Sequence, residues 1–163
     1  MWVRSEYAGE LAVVATWLCA LMPWSVTVLN ESDLTALFFW FVPGNFLFTP
    51  GTDLPGERPF WVWQFPGFFE SQGELVMSYI WLLGAGVLAV AVVYSLLYYV
   101  DEARVEGWQL SPVRVLGALL FVSGLVFAAA YVLLWQTSAG TSIPLGFVFQ
   151  LVFGIVLLRV DVA

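Results

Sequence analysis

The chain has 163 residues, 61% of them hydrophobic and only 10% charged, and its mean hydropathy is +0.90. Twelve acids against five basic residues, all arginine, leave a net charge of −7, and neither lysine nor histidine occurs. So few charges cannot coat a water-soluble globule, which excludes an ordinary soluble domain and points to an integral membrane protein. The negative balance also excludes the basic footprint of a nucleic-acid binder.

Taken in chain order, the first apolar run is Leu11 to Leu29, between Glu10 and Asn30-Glu31. It is long enough to span a bilayer, since about 20 residues cross one. A cleaved signal peptide fits poorly, because Glu6 and Glu10 precede the run and no Ala-x-Ala site follows it. Pro23 is expected to kink this helix or begin its exit. Residues 30–74 come next. Leu34–Phe48 is apolar but broken by Pro43-Gly44-Asn45, Pro50-Gly51 follows, and Phe60–Phe69 forms an aromatic cluster. So much proline and glycine disfavours an unbroken lipid-exposed span. Short interfacial helices or a re-entrant dip are expected, with 34–52 as a fifth span the remaining alternative.

Leu75–Val100 predicts a second span, with Tyr79, Trp81, Tyr94, Tyr98 and Tyr99 toward its ends, where amphipathic rings prefer the interface. No charge occurs from Val115 to Leu158, too long a stretch for one helix. The polar segment Gln136–Ser142 and Pro144 divide it into spans at 115–135 and 143–160. Four spans with a cytoplasmic N-terminus put Arg4, Arg104, Arg114 and Arg159 inside and only Arg58 outside, as the positive-inside rule prefers. The expectation is one all-α membrane domain over 1–163. It is a four-helix bundle with spans near 11–29, 75–100, 115–135 and 143–160, an exterior aromatic insertion at 30–74, and both termini cytoplasmic.

Little in the sequence invites chemistry. With one cysteine and no histidine, no disulfide within the chain, Cys/His metal cluster or imidazole-ligated haem can form, so no metal or cofactor is expected. The runs hold no Asp, Glu, Lys, Arg or His, which argues against a proton or charge relay. Gln150, the most polar residue near mid-span, is read as a contact between helices, and Ser78, Ser95, Ser123 and Thr16 likewise. The small pairs Ala85/Ala89 and Gly124/Ala128 suit close helix packing. Exterior acids pair as Glu31/Asp33, Asp53/Glu57 and Glu70/Glu74. They lack a calcium-loop spacing and are read as solvation. Trp24, Trp40, Trp61 and Trp63 are expected at a lipid or partner interface, because membrane boundaries and partner surfaces favour aromatics.

Met22-Pro23-Trp24-Ser25-Val26, Leu37–Pro43 and Leu54-Pro55 together resemble an uncharacterised family of small multi-pass membrane proteins of halophilic archaea. The resemblance covers roughly the first 70 residues by motif. It implies a salt-adapted source, in keeping with acid-rich loops and absent lysine, and it implies no activity. Function is therefore expected to be non-enzymatic: an accessory or scaffold subunit that contacts membrane lipids and another membrane protein. A passive channel would require Gln150, Ser78, Ser95 and Ser123 to line one cavity. A surface enzyme acting on lipid or glycan would require two exterior acids to face each other across a cleft.

Overall fold

The computed structural model describes residues 7–31, 34–51, 59–67, 72–106, 110–137 and 140–160. Among these residues are four main helices, α1 (Ala8–Leu21), α2 (Gln72–Val100), α4 (Pro112–Thr137) and α5 (Gly146–Arg159), with a short α3 (Glu102–Glu106). A five-stranded antiparallel sheet accompanies them, made of β1 (Ser25–Glu31), β2 (Leu34–Trp40), β3 (Gly44–Phe48), β4 (Phe60–Trp61) and β5 (Thr141–Pro144) in the order β4-β3-β2-β1-β5. A 3-10 turn, Val62–Gly67, follows β4. The molecule is thus mixed α and β, and the all-α expectation is overturned.

The corrections have local causes. The first apolar run is helical only to Leu21. Pro23 has no amide to continue the ladder, and Ser25-Val26-Thr27-Val28 alternates with β-branched residues, which favours a strand. The expected interfacial, re-entrant or fifth-span segment at 34–52 is instead the pair β2–β3, hairpinned at Pro43-Gly44 with Phe41 N–H bonded to Gly44 O at 2.8 Å. The polar break before the last run supplies β5, so α5 begins at Gly146 rather than 143 and has 14 residues.

The strands meet in a register that joins distant parts of the chain. Ser25 pairs with Trp40 on one side and with Pro144 on the other. The bonding continues past the sheet: Leu145 N–H donates to Trp24 O at 3.2 Å and Gly146 N–H to Pro23 O at 3.0 Å. These carbonyls occupy amides at the start of α5, where no side-chain cap is present. The sheet therefore lies at the end of the bundle where α1 stops, α2 starts, α4 stops and α5 starts.

α2 and α4 have 29 and 26 residues, about 43 Å and 39 Å at the usual rise. Both are long and apolar enough to cross a membrane, each with an 18-residue window of mean hydropathy 2.3. Those windows are only 33% and 39% buried, so the larger part of each is at least partly exposed. α1 and α5, at 14 residues each, are shorter.

α4 and α5 pack backbone against backbone. A Cβ at Gly154 would lie 2.7 Å from Phe121 N, and one at Gly117 would lie 2.9 Å from Leu157 Cβ. Gly86, on the outward side of α2, has open space instead. Gly86→Ala is expected to stabilise the protein by about 0.5–1 kcal/mol or leave it unchanged, as read from its thermal unfolding midpoint.

Candidate functional site

Both faces of the sheet carry apolar residues: Ala36, Phe38 and Phe60 pack toward the helices, where buried polar residues accompany them. Residues paired across an antiparallel ladder point to the same side. The side against the helices carries Ser25, Thr27 and Ser142, all buried, together with Trp40 and Asn45. The far side carries Val26, Val28, Leu37 and Phe39 on the central strands, then Phe46, Phe48, Trp61 and Ile143 toward the edges. The last four are exposed, and the polar residues Asn30, Thr35 and Thr141 lie at one margin.

Satisfied hydrogen bonds explain how the polar residues tolerate burial. The Thr27 hydroxyl is 2.9 Å from that of Ser142 and accepts from Trp40 Nε1 at 3.0 Å. Ser25 Oγ donates to Ile143 O at 3.3 Å, and Tyr131 Oη of α4 donates to Ser142 O at 2.8 Å. The network ties β1, β2 and β5 to one another and to the bundle. Beneath it Trp24 is fully buried, its ring stacked on Phe127 of α4 at 5.5 Å and tilted against Trp81 of α2 at 5.8 Å. Trp40 meets Trp81 edge-on at 5.4 Å. The expectation that Trp24 and Trp40 form a partner or lipid interface is therefore corrected: both are interior residues that lock the sheet to the helices.

Trp61 and Trp63 differ. They are 41% and 62% exposed, and their rings stack in parallel at 5.3 Å with 2° between the planes. Trp61 sits opposite Gly44, where a Cβ would collide with the Phe60 carbonyl, so glycine lets β4 close on β3. Gln64 Oε1 accepts from Trp61 N–H at 3.1 Å and steadies the turn. The pair extends the apolar far face beyond the edge of the sheet.

Gln150 is fully buried between α4 and α5. Its Oε1 is 3.3 Å from Ser123 Oγ, which lies equally close to Gly84 O of α2. The hydroxyl has one proton for these two acceptors, and Gln150 Nε2 has no partner among the described residues. Turning the amide would let Nε2 donate to Ser123 while Ser123 donates to Gly84. Gln150→Leu leaves the Ser123–Gly84 bond in place and is expected to change stability by less than about 1 kcal/mol in reversible unfolding in detergent.

The serines do not line one path. Ser78 donates to Leu75 O at 2.8 Å, near the sheet end of α2. Ser95 lies toward the opposite end, donating to Val92 O at 2.7 Å and accepting from Trp17 Nε1 at 3.0 Å. Ser123 and Gln150 lie between these levels, bonded to each other and to Gly84 rather than to Ser78 or Ser95. The acids Asp33, Asp53, Glu57 and Glu70 fall outside the described residues, as does the side chain of Glu31, so the facing-acid pair has no geometry here. Among the described residues no cluster of three acids or cysteines could hold a metal ion.

Bundle and sheet together define a class: a helical protein closed at one end by a β-sheet, with two helices of membrane-spanning length and an apolar far face. The chain belongs to the family of unknown function DUF7549, whose model matches residues 1–162. No curated protein matches it.

Proposed function

We propose that the chain is a non-enzymatic, multi-pass membrane protein whose sheet lies outside the cell and docks on another membrane protein. The observation that carries the docking reading is the far face of the sheet. Phe46, Phe48, Trp61 and Ile143 are exposed along it, and continuous apolar surface with a polar margin marks interaction sites.

The bundle supports the membrane placement. Between Tyr79 and Tyr99 every exposed residue of α2 is apolar, and those rings are about 30 Å apart along the axis, the thickness of a hydrocarbon core. Arg114 and Trp135 bracket α4 over nearly the same distance, with only alanine, valine and leucine exposed between them. Such spacing suits an interfacial girdle at each boundary. α1 falls short by length, but extended Met22 to Trp24 carries the chain on to the level of Trp81. Arg104, Arg114 and Arg159 all lie at the end opposite the sheet, which favours that end as cytoplasmic. The acidic, lysine-free composition supports a salt-adapted source.

Topology is tested by single cysteines in a Cys19→Ala background. A membrane-impermeant maleimide added to intact cells is expected to label Thr35→Cys. It is expected to label Arg114→Cys only after permeabilisation, and Val90→Cys in neither case. Equal labelling of the first two in intact cells would overturn the topology. Docking is tested by purification from native membranes at high salt in mild detergent. A stoichiometric membrane protein is expected to co-purify, and to be lost with Phe46→Ser/Trp63→Ser. A solitary wild-type monomer would overturn the scaffold reading.

A further inference from the structure

At the end of the bundle opposite the sheet, α1, α2 and α3 enclose a groove of about 380 Å³. We propose that it binds the ammonium headgroup of a membrane amphiphile. This inference rests on the membrane placement argued above and is independent of the docking face.

Two carboxylates from different helices converge on the groove: Glu10 from the first turn of α1 and Glu102 from the first turn of α3. Trp17, Tyr98 and Tyr99 form an aromatic part of its wall, and Gly9, Val13 and Val14 complete it along α1. Ring faces attract cations, and attract alkylammonium groups in particular because those also shed apolar surface on binding. Acids and rings together therefore select a positively charged organic group over an anion or a neutral polar one.

The rings are held in place. Trp17 is fixed by its bond to Ser95 and packs edge-on to Tyr99 at 5.7 Å and 64°. Tyr98 Oη donates to Glu102 Oε1 at 3.3 Å, which orients that carboxylate. Gly9 makes room, since a Cβ there would lie 2.5 Å from Tyr98 Oη. Arg104 is a poor internal partner for Glu102, because residues two apart on a helix point to different sides.

Location selects a lipid over a free solute. Tyr99 lies where the outward apolar face of α2 ends, so the groove sits at headgroup depth. Its side along α1 is apolar and open at Val14, which suits the first methylenes of a tail.

The test is titration of the purified protein, in neutral maltoside micelles, with dodecyltrimethylammonium, followed by tryptophan emission and calorimetry. Saturable one-to-one binding is expected, weakened about tenfold in Glu10→Gln/Glu102→Gln, as two partly screened ion pairs would give. Both acids are exposed, and an unchanged unfolding midpoint will verify that the variant is folded. Absence of saturation, or equal binding by the double variant, overturns the site. Equal affinity for dodecanoate overturns the charge selection, and equal affinity for tetramethylammonium overturns the lipid source. The maleimide pattern separates the two readings: failed binding with that pattern intact sinks the groove alone.

Discussion

Gly154→Ala is expected to destabilise the protein by about 1–3 kcal/mol, and Gly154→Leu to separate α5 from α4. The new Cβ would meet Phe121 at N, Cα and Cβ, all between 2.7 and 2.8 Å. Two of these atoms are backbone, so no rotamer change relieves the clash and the helices must move apart. Separation would propagate, because Gly117 and Gly124 hold the same interface at Leu157 and Leu151. If the bundle lies in lipid as proposed, the tails solvate apolar side chains as well as a neighbouring helix does, and close packing supplies much of the association energy. Reversible unfolding in mixed micelles reads the cost, and Gly86→Ala is the matched control. Equal behaviour of the two alanine variants would show that α4 and α5 are not in contact at Gly154.

Trp24→Ala is expected to cost about 3–5 kcal/mol, the usual range for emptying a buried aromatic site. Trp24 touches the sheet through Trp40, α2 through Trp81 and α4 through Phe127, so its loss opens a void where three elements meet. Trp24→Phe is expected to be much milder. The Trp24 indole nitrogen has no hydrogen-bond partner among the described residues, so phenylalanine sacrifices volume but no bond. Trp40→Phe, in contrast, removes the bond from Nε1 to Thr27 and leaves a buried hydroxyl with one partner fewer. Unfolding midpoints should therefore rank wild type above Trp24→Phe, with Trp24→Ala lowest. A Trp24→Ala protein as stable as wild type would mean that the sheet is not anchored through this ring.

The long helices were legible in the sequence because their signal is cumulative. α2 spans Gln72–Val100 where 75–100 was expected, and α4 spans Pro112–Thr137 where 115–135 was expected. The sheet was not, for a reason that Val26, Val28 and Phe39 make plain. A strand is recognised when apolar residues alternate with polar ones, and here Trp40 and Phe38 occupy the bundle side while valines and phenylalanines fill the far side. Apolar residues on both sides erase the alternation, so Leu34–Trp40 reads like a stretch of membrane helix. The surviving clues were β-branched residues at 26–28 and the Pro43-Gly44 turn. β5 was harder still. Thr141–Pro144 gains its identity only from β1, and no local pattern reports a partner so far away. Among the tryptophans expected at an interface, Trp61 and Trp63 lie at the surface. Trp24 and Trp40 do not, since composition reveals a tryptophan's preference for boundaries but not which boundary it occupies. Nothing local marks the groove at Glu10 and Glu102, because its two acids are 92 positions apart and only helix packing brings them to one groove.

The pairing of β1 with β5 also bears on how the protein is made. Thr27 must wait for Ser142, 115 residues later in the chain. At roughly 5–20 residues per second, a ribosome needs about 6–23 s to supply it. Through that interval the nascent hairpin has emerged with one flank unoccupied, and an unoccupied flank templates adventitious pairing. Biogenesis should therefore be most vulnerable to aggregation before β5 is made, and chains truncated ahead of residue 141 should be the ones that quality control removes.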